Sequence, residues 1–188
     1  MKMDALMLII LGMVIVICLI FGIYTTLYNK MQDYIIRINE VESMIDDNLR
    51  NKYDNINKSI SIMKGTTKID DAVELKIFDE MTRLKTKKIS NFDLDRQLIE
   101  TENALISLKE KHKELKESEE IIELEKKNEE INENLIINKE YYNKNIAEYN
   151  KLITLFPTNI IAKISKYEEK LFFDRKDMSD NDFNDFKL

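Results

Sequence analysis

Residues that punctuate turns are scarce in this chain: 188 residues carry three glycines, Gly12, Gly22 and Gly65, and one proline, Pro157. A fold of several short strands needs such residues at its reversals, so an all-α fold follows. The same scarcity excludes enzymes built on a Gly-rich phosphate loop or a Gly-x-Ser-x-Gly nucleophile turn. Histidine occurs once, at His112, so neither a two-histidine metal motif nor the paired Glu-x-x-His of a di-iron bundle can be assembled. Cysteine also occurs once, at Cys18, inside the longest apolar run, which leaves the polar part of the chain without a disulfide or a reactive thiol. No catalytic residue, metal ligand or cofactor site is expected, and His112 reads as a solvated residue of a helix turn.

Charge of one sign is not concentrated either. The net charge is −6, with Lys and Glu mixed along the chain, so no basic stripe exists to neutralise a phosphate backbone and nucleic acid is not expected as a partner. The run Glu119, Glu120, Glu123, Glu125, Glu129 and Glu130 interleaves with Lys126 and Lys127, the pattern of a solvated, ion-paired helix face.

What is present begins with a long apolar segment. No charged residue lies between Asp4 and Lys30, and Ala5 to Tyr24 reads ALMLIILGMVIVICLIFGIY, about the twenty apolar residues that cross the hydrocarbon layer as a helix. Lys2 supplies a minimal positive region of the kind found in a cleavable signal peptide. The run is longer than an ordinary signal core, however, and Thr25-Thr26-Leu27-Tyr28 offers no small-residue cleavage site, so an uncleaved anchor is expected over residues 5–28. Cys18, Gly22 and Thr26 are small residues four apart that could form a seam with a second membrane helix.

Beyond the anchor, apolar residues keep helical spacing. Tyr34, Ile38, Val41, Ile45, Leu49, Ile56, Ile60 and Met63 form one stripe, so the anchor helix can run straight into a soluble one. The stripe resumes after Gly65 at Ile69, Val73, Ile77, Met81 and Leu84, leaving a kink and a turn both open there. Ser90 or Asn91 can cap a helix beginning near residue 92, with Asp93 and Asp95 at its positive end. Leu98, Leu105, Leu108 and Leu115, then Ile121, Leu124, Ile131 and Leu135, carry the stripe onward to Pro157. A single helix over this stretch would be about 98 Å long and could not bury its own stripe, so a turn is expected between His112 and Glu117. Pro157 ends the long helix, and Thr158 or Asn159 can cap a last short helix through Ile160, Ile164, Tyr167 and Leu171. The expected organisation is a flank at 1–4, a transmembrane helix at 5–28, an antiparallel bundle of three to four long helices at 29–174, and an acidic tail at 175–188 with isolated aromatics at Phe183 and Phe186.

Asparagine recurs inside these helices although it is a mediocre helix former. Tyr142, Ile146, Tyr149, Ile153 and Phe156 alternate steps of four and three and are expected to form one seam. Asn143 and Asn150 lie one residue, or about 100°, round from it. There each amide can face a neighbouring helix, bond across to it and set its register, or be simply solvated.

The pairs Tyr142-Asn143 and Tyr149-Asn150, followed by Phe156-Pro157, Asn159 and Ala162, resemble the C-terminal signature of the LemA family. Tyr28-Asn29, Arg37, Val41, Ile45-Asp46, Leu49-Arg50, Tyr53-Asp54 and Ile56 are similar to its N-terminal half. The middle departs from the pattern at His112-Lys113-Glu114-Leu115-Lys116, and Lys166-Tyr167 stands where the family has Gly-Phe. The resemblance implies a membrane-anchored antiparallel helical bundle and assigns no reaction. Function is then expected to be that of a scaffold or interaction module whose partners are the lipid bilayer, through residues 5–28, and either another protein or a second copy. The alternatives are an extended membrane-tethered coiled-coil oligomer, suggested by Ser107 to Asn134, and a membrane-associated enzyme using carboxylates alone. Lys30 and Arg37 follow the apolar run and only Lys2 precedes it, which points to a single-pass cell-membrane protein with a cytoplasmic bundle.

Overall fold

A computed structural model describes residues 5–66, 79, 81 and 89–175. Among these residues there are five helices and no strand: α1 (Ala5–Thr66), α2 (Asn91–Lys111), α3 (Lys113–Lys116), α4 (Glu119–Thr154) and α5 (Thr158–Ile164). The fold is all-α, as the shortage of turn residues requires. The resumed stripe at Ile69, Val73, Ile77 and Leu84 and the tail with Phe183 and Phe186 lie outside the described residues. Met81 is described and is buried.

α1 is one helix of 62 residues through Gly65, so no turn occurs before Thr66. From Leu6 to Ile23 its large apolar side chains are exposed, and burial begins at Tyr24. Ile38, Val41, Ile45, Leu49, Ile56, Ile60 and Met63 are all buried, the stripe that the spacing predicts. Burying each such side chain contributes roughly 1.5–3 kcal/mol, far more than helix propensity at any one position.

Ser90 caps α2: its backbone is extended, and its Oγ accepts the Asp93 N–H at 3.2 Å. The reversal predicted between His112 and Glu117 is a single turn of helix, α3, with extended His112 on one side and Glu117 on the other. Leu115 of this turn is fully buried. Ser118 opens α4 by accepting the Ile121 N–H, with Glu119 and Glu120 at the positive end of the helix.

The chain forms two compact units, one made of residues 1–40 and 142–188, the other of residues 41–141. α1 and α4 each contribute to both. In the second unit α1, α2 and α4 pack together, with Leu98, Leu105 and Leu108 of α2 and Ile121, Ile131 and Leu135 of α4 buried. α1 and α4 are antiparallel there: Lys52 meets Asn132, while Asp54, Lys58 and Ile62 line a cleft with Lys127, Leu124 and Glu120.

In the first unit the core joins Met31 and Ile38 of α1, Ile146, Tyr149 and Ile153 of α4, Ile161 and Ala162 of α5, and Phe172. Two expectations are corrected here. Phe156 does not join the seam of Ile146, Tyr149 and Ile153, because α4 ends at Thr154 and the phenyl ring is 79% exposed on the turn that follows. The last helix stops at Ile164 and does not continue through Tyr167 and Leu171. Lys166 adopts φ 55°, its N–H bonds to Lys163 O at 3.3 Å, and the Tyr167 N–H reaches back to Ala162 O at 2.9 Å. This pair of bonds closes a helix end as a Schellman motif, with Lys where glycine is usual.

Candidate functional site

Residues 167–175 leave α5 as an irregular strap that ends in a turn, where the Arg175 N–H bonds to Phe172 O at 2.9 Å, and the first unit holds that strap from two sides. On the α4 side, Asn150 is 1% exposed; its amide donates to Lys170 O at 2.7 Å and accepts from Lys170 N at 2.9 Å. Two turns earlier, Asn143 Oδ1 accepts the Phe173 N–H at 2.8 Å. Phe172 enters the core, and Phe173 sets its edge against Tyr142, with centroids 6.4 Å apart. The two asparagines therefore do bond across, but to backbone of the strap and not to a neighbouring helix. The strap is not helical, so Lys170 and the Phe173 N–H have no helical partners, and the two amides fill that gap.

On the α1 side, Tyr24 and Tyr28 stand one turn apart and stack at 6.0 Å, and Tyr28 stacks on Tyr167 at 6.1 Å. Gln32, another turn along, donates its amide to the Tyr28 hydroxyl at 3.1 Å and to the Tyr167 hydroxyl. Burial first, and then the hydrogen bond with Tyr28, push the Tyr167 phenol up to about 12. Tyr149 is raised by burial and by the charge of Glu168. Between the two sides, Ile35, Tyr149 and residues 166–170 line a shallow cleft.

Of the other residues singled out by sequence, Asn29 and Pro157 are exposed, and the Phe156–Pro157 bond is cis. Thr158 is buried, and its hydroxyl donates to Leu152 O and, at 2.6 Å, to Leu155 O. It thus closes α4 instead of capping α5. Asn159 is half-buried, with a buried Oδ1 that no donor reaches. Asp46 lies in the other unit, where it pairs with Arg50 one turn on at 2.7 Å. Cys18 is exposed on the apolar part of α1, and the Gly22 carbonyl accepts the hydroxyls of Thr25 and Thr26 at 3.0 and 2.8 Å.

The second unit holds a buried polar layer that periodicity did not reveal. Lys52, 0% exposed, places Nζ 2.8 Å from Glu102 Oε2 and 2.7 Å from Asn132 Oδ1, and the Asn132 amide returns to Glu102 at 3.2 Å. One helix from each of three chain segments is represented in that cluster. A second pair, Lys139 with Asp95, closes at 2.6 Å between α4 and α2. Lys109 pairs with Glu125 nearer the turn. The only sequence signal was that Lys52 falls between Leu49 and Ile56 on the buried stripe.

Residues 41–184 match the model of the LemA family. The chain belongs to the LemA family. No curated protein matches it. The matched stretch of this LemA chain contains Asn143, Asn150, the turn at Phe156-Pro157 and the whole strap, while Tyr28, Asn29 and Arg37 precede it. The repeated Tyr-Asn of this LemA protein has a physical reading at each letter. Tyr149 fills the core and Tyr142 braces Phe173, while the following amides replace backbone partners for Lys170 and Phe173.

Proposed function

We propose that this LemA protein is anchored by residues 5–28 in the cell membrane as a single-pass protein, and that its helical bundle is a scaffold that binds another protein or a second copy without catalysing a reaction. The observation that carries the reading is the burial pattern of α1. An unbroken helix leaves Leu6 to Ile23 uncovered and then buries one face from Tyr24 onward, as a helix does when its first part is covered by lipid and its second by protein.

The buried ionic groups support structural work over catalysis. Lys52 is committed to Glu102 and Lys139 to Asp95, so each of these carboxylates has a basic partner. The same contacts weigh against an extended coiled-coil rod, because they tie α1, α2 and α4 of one chain together. Lys30 and Arg37 after the span, against Lys2 before it, favour a cytoplasmic bundle.

Membranes carrying the full chain test the anchor. The protein should resist extraction at alkaline pH, and Leu11→Asp with Ile15→Asp should release it, since each buried carboxylate opposes insertion by about 2.5–3.5 kcal/mol. Release of the unaltered chain would overturn the anchor. Protease added outside intact cells should leave the bundle whole, and its digestion would reverse the sidedness.

A further inference from the structure

The turn after α4 and the short α5 leave apolar side chains uncovered. Phe156, Leu155, Ile160 and Ile164 are all exposed. On α5, Ile160 and Ile164 stand four residues apart, on the face opposite buried Thr158, Ile161 and Ala162. Scattered exposed apolar residues are ordinary, so their place decides what they mean.

Their place is the end of the first unit from which the apolar span departs. The core that receives Ile161 and Ala162 also receives Tyr24, Leu27 and Tyr28, the first residues of α1 to be covered by protein after the exposed run ending at Ile23. α5 therefore lies beside the point where α1 would leave the hydrocarbon layer. Charge agrees with that location. From Tyr149 to Tyr167 the chain has Lys151, Lys163 and Lys166, all exposed, and no Asp or Glu, with the exposed Glu148, Glu168 and Glu169 at the two ends of the stretch. The stacked Tyr24, Tyr28 and Tyr167 are of the ring type that collects at the membrane–water boundary.

We propose that residues 155–164 rest in the headgroup region of an anionic bilayer, with Phe156, Ile160 and Ile164 entering the acyl boundary and Lys151, Lys163 and Lys166 against lipid phosphates. Such a second contact would hold the first unit against the membrane at two places. The inference rests on the reading of residues 5–28 as the anchor, and the test separates the two.

In full-length protein with Cys18→Ala, single cysteines at position 15, 137, 156 or 164 are labelled with an environment-sensitive fluorophore, and each variant is reconstituted into vesicles containing phosphatidylglycerol. Lipids spin-labelled near the top or near the end of the acyl chain then report depth. Position 137, exposed outside the first unit, serves as the reference. The expected result is deep quenching at 15, and at 156 and 164 quenching by the shallow label roughly twofold or more above that at 137, as for an apolar face about 5–10 Å into the boundary. Deep quenching at 15 with 156 and 164 indistinguishable from 137 overturns the inference and leaves the anchor standing. No quenching at 15 overturns both. Cross-linking between copies at 164 without lipid quenching overturns it in favour of a second copy, and equal shallow quenching in zwitterionic vesicles overturns the role given to the lysines.

Discussion

Asn150 holds Lys170 by both of its backbone groups, donating to the carbonyl at 2.7 Å and accepting from the N–H at 2.9 Å, so a side-chain amide stands where a neighbouring strand would otherwise be needed. Asn150 itself is buried. Asn150→Leu removes two hydrogen bonds and strands two backbone groups. With about 1 kcal/mol per bond and about 1–3 for a buried group left unsatisfied, a loss of about 2–4 kcal/mol is expected in denaturant unfolding, with helical circular dichroism retained. Asn143→Leu, with one bond to Phe173 N, should lose less. A change below about 0.5 kcal/mol for the double variant would show that the strap does not depend on them.

Lys166 should respond in the opposite direction. Its φ of 55° lies in the left-handed region, which strains a residue with a Cβ by roughly 1–2 kcal/mol and costs glycine nothing. Lys166→Gly is expected to raise stability by about 1 kcal/mol, less the greater freedom glycine gives the unfolded chain. A loss measured by the same unfolding experiment would mean that the lysine side chain contributes more than its backbone strain subtracts.

Removing Lys52 from the Lys52–Glu102–Asn132 cluster leaves the Glu102 carboxylate without its cation. Lys52→Met is expected to destabilise by about 3–5 kcal/mol, and adding Glu102→Gln should restore part of that loss, because the charge that lost its partner is then gone as well. Strict additivity of the two substitutions in a double-mutant cycle would contradict the coupling seen between them.

The strap also carries a pH dependence. Tyr167 titrates near 12 in the folded chain against a reference of 10.0, so the folded state holds this proton more tightly. Its contribution is complete below pH about 10 and fades as pH rises from about 10 to about 12. Alkaline titration followed by phenolate absorbance should show a late-titrating tyrosine that Tyr167→Phe removes, and stability of that variant should fall less steeply across the same window. A Tyr167 that ionises with the exposed tyrosines would contradict the arrangement with Tyr28 and Gln32.

Much of the fold was legible because each feature depends on local physics. The all-helical class follows from missing turn residues, the stripe from the 3.6-residue period, the Ser90 cap from one side chain and its near backbone, and the reversal at 112–117 from the inability of a long helix to bury its own face. The uncovered run before Tyr24 follows from composition alone. Tyr142, Asn143, Tyr149 and Asn150 of the repeated Tyr-Asn all meet the strap or the core beneath it.

Which groups meet across the interior was decided only by tertiary structure. Periodicity names the face of a helix that is covered and not what covers it, so the spacing leaves Asn143 and Asn150 either against a neighbouring helix or solvated, and their partner is the strap. Lys52 sits on a buried stripe but carries a charge, and only the approach of Glu102 from α2 and Asn132 from α4 makes its burial tolerable. Phe156 has the spacing of a seam residue, yet α4 ends two residues before it, and Thr158 closes that end through carbonyls of Leu152 and Leu155. Lys166 shows the same limit in the backbone. Its sequence favours helix, and the burial of Ala162, Phe172 and the strap around Asn150 compensates for holding it in a left-handed conformation.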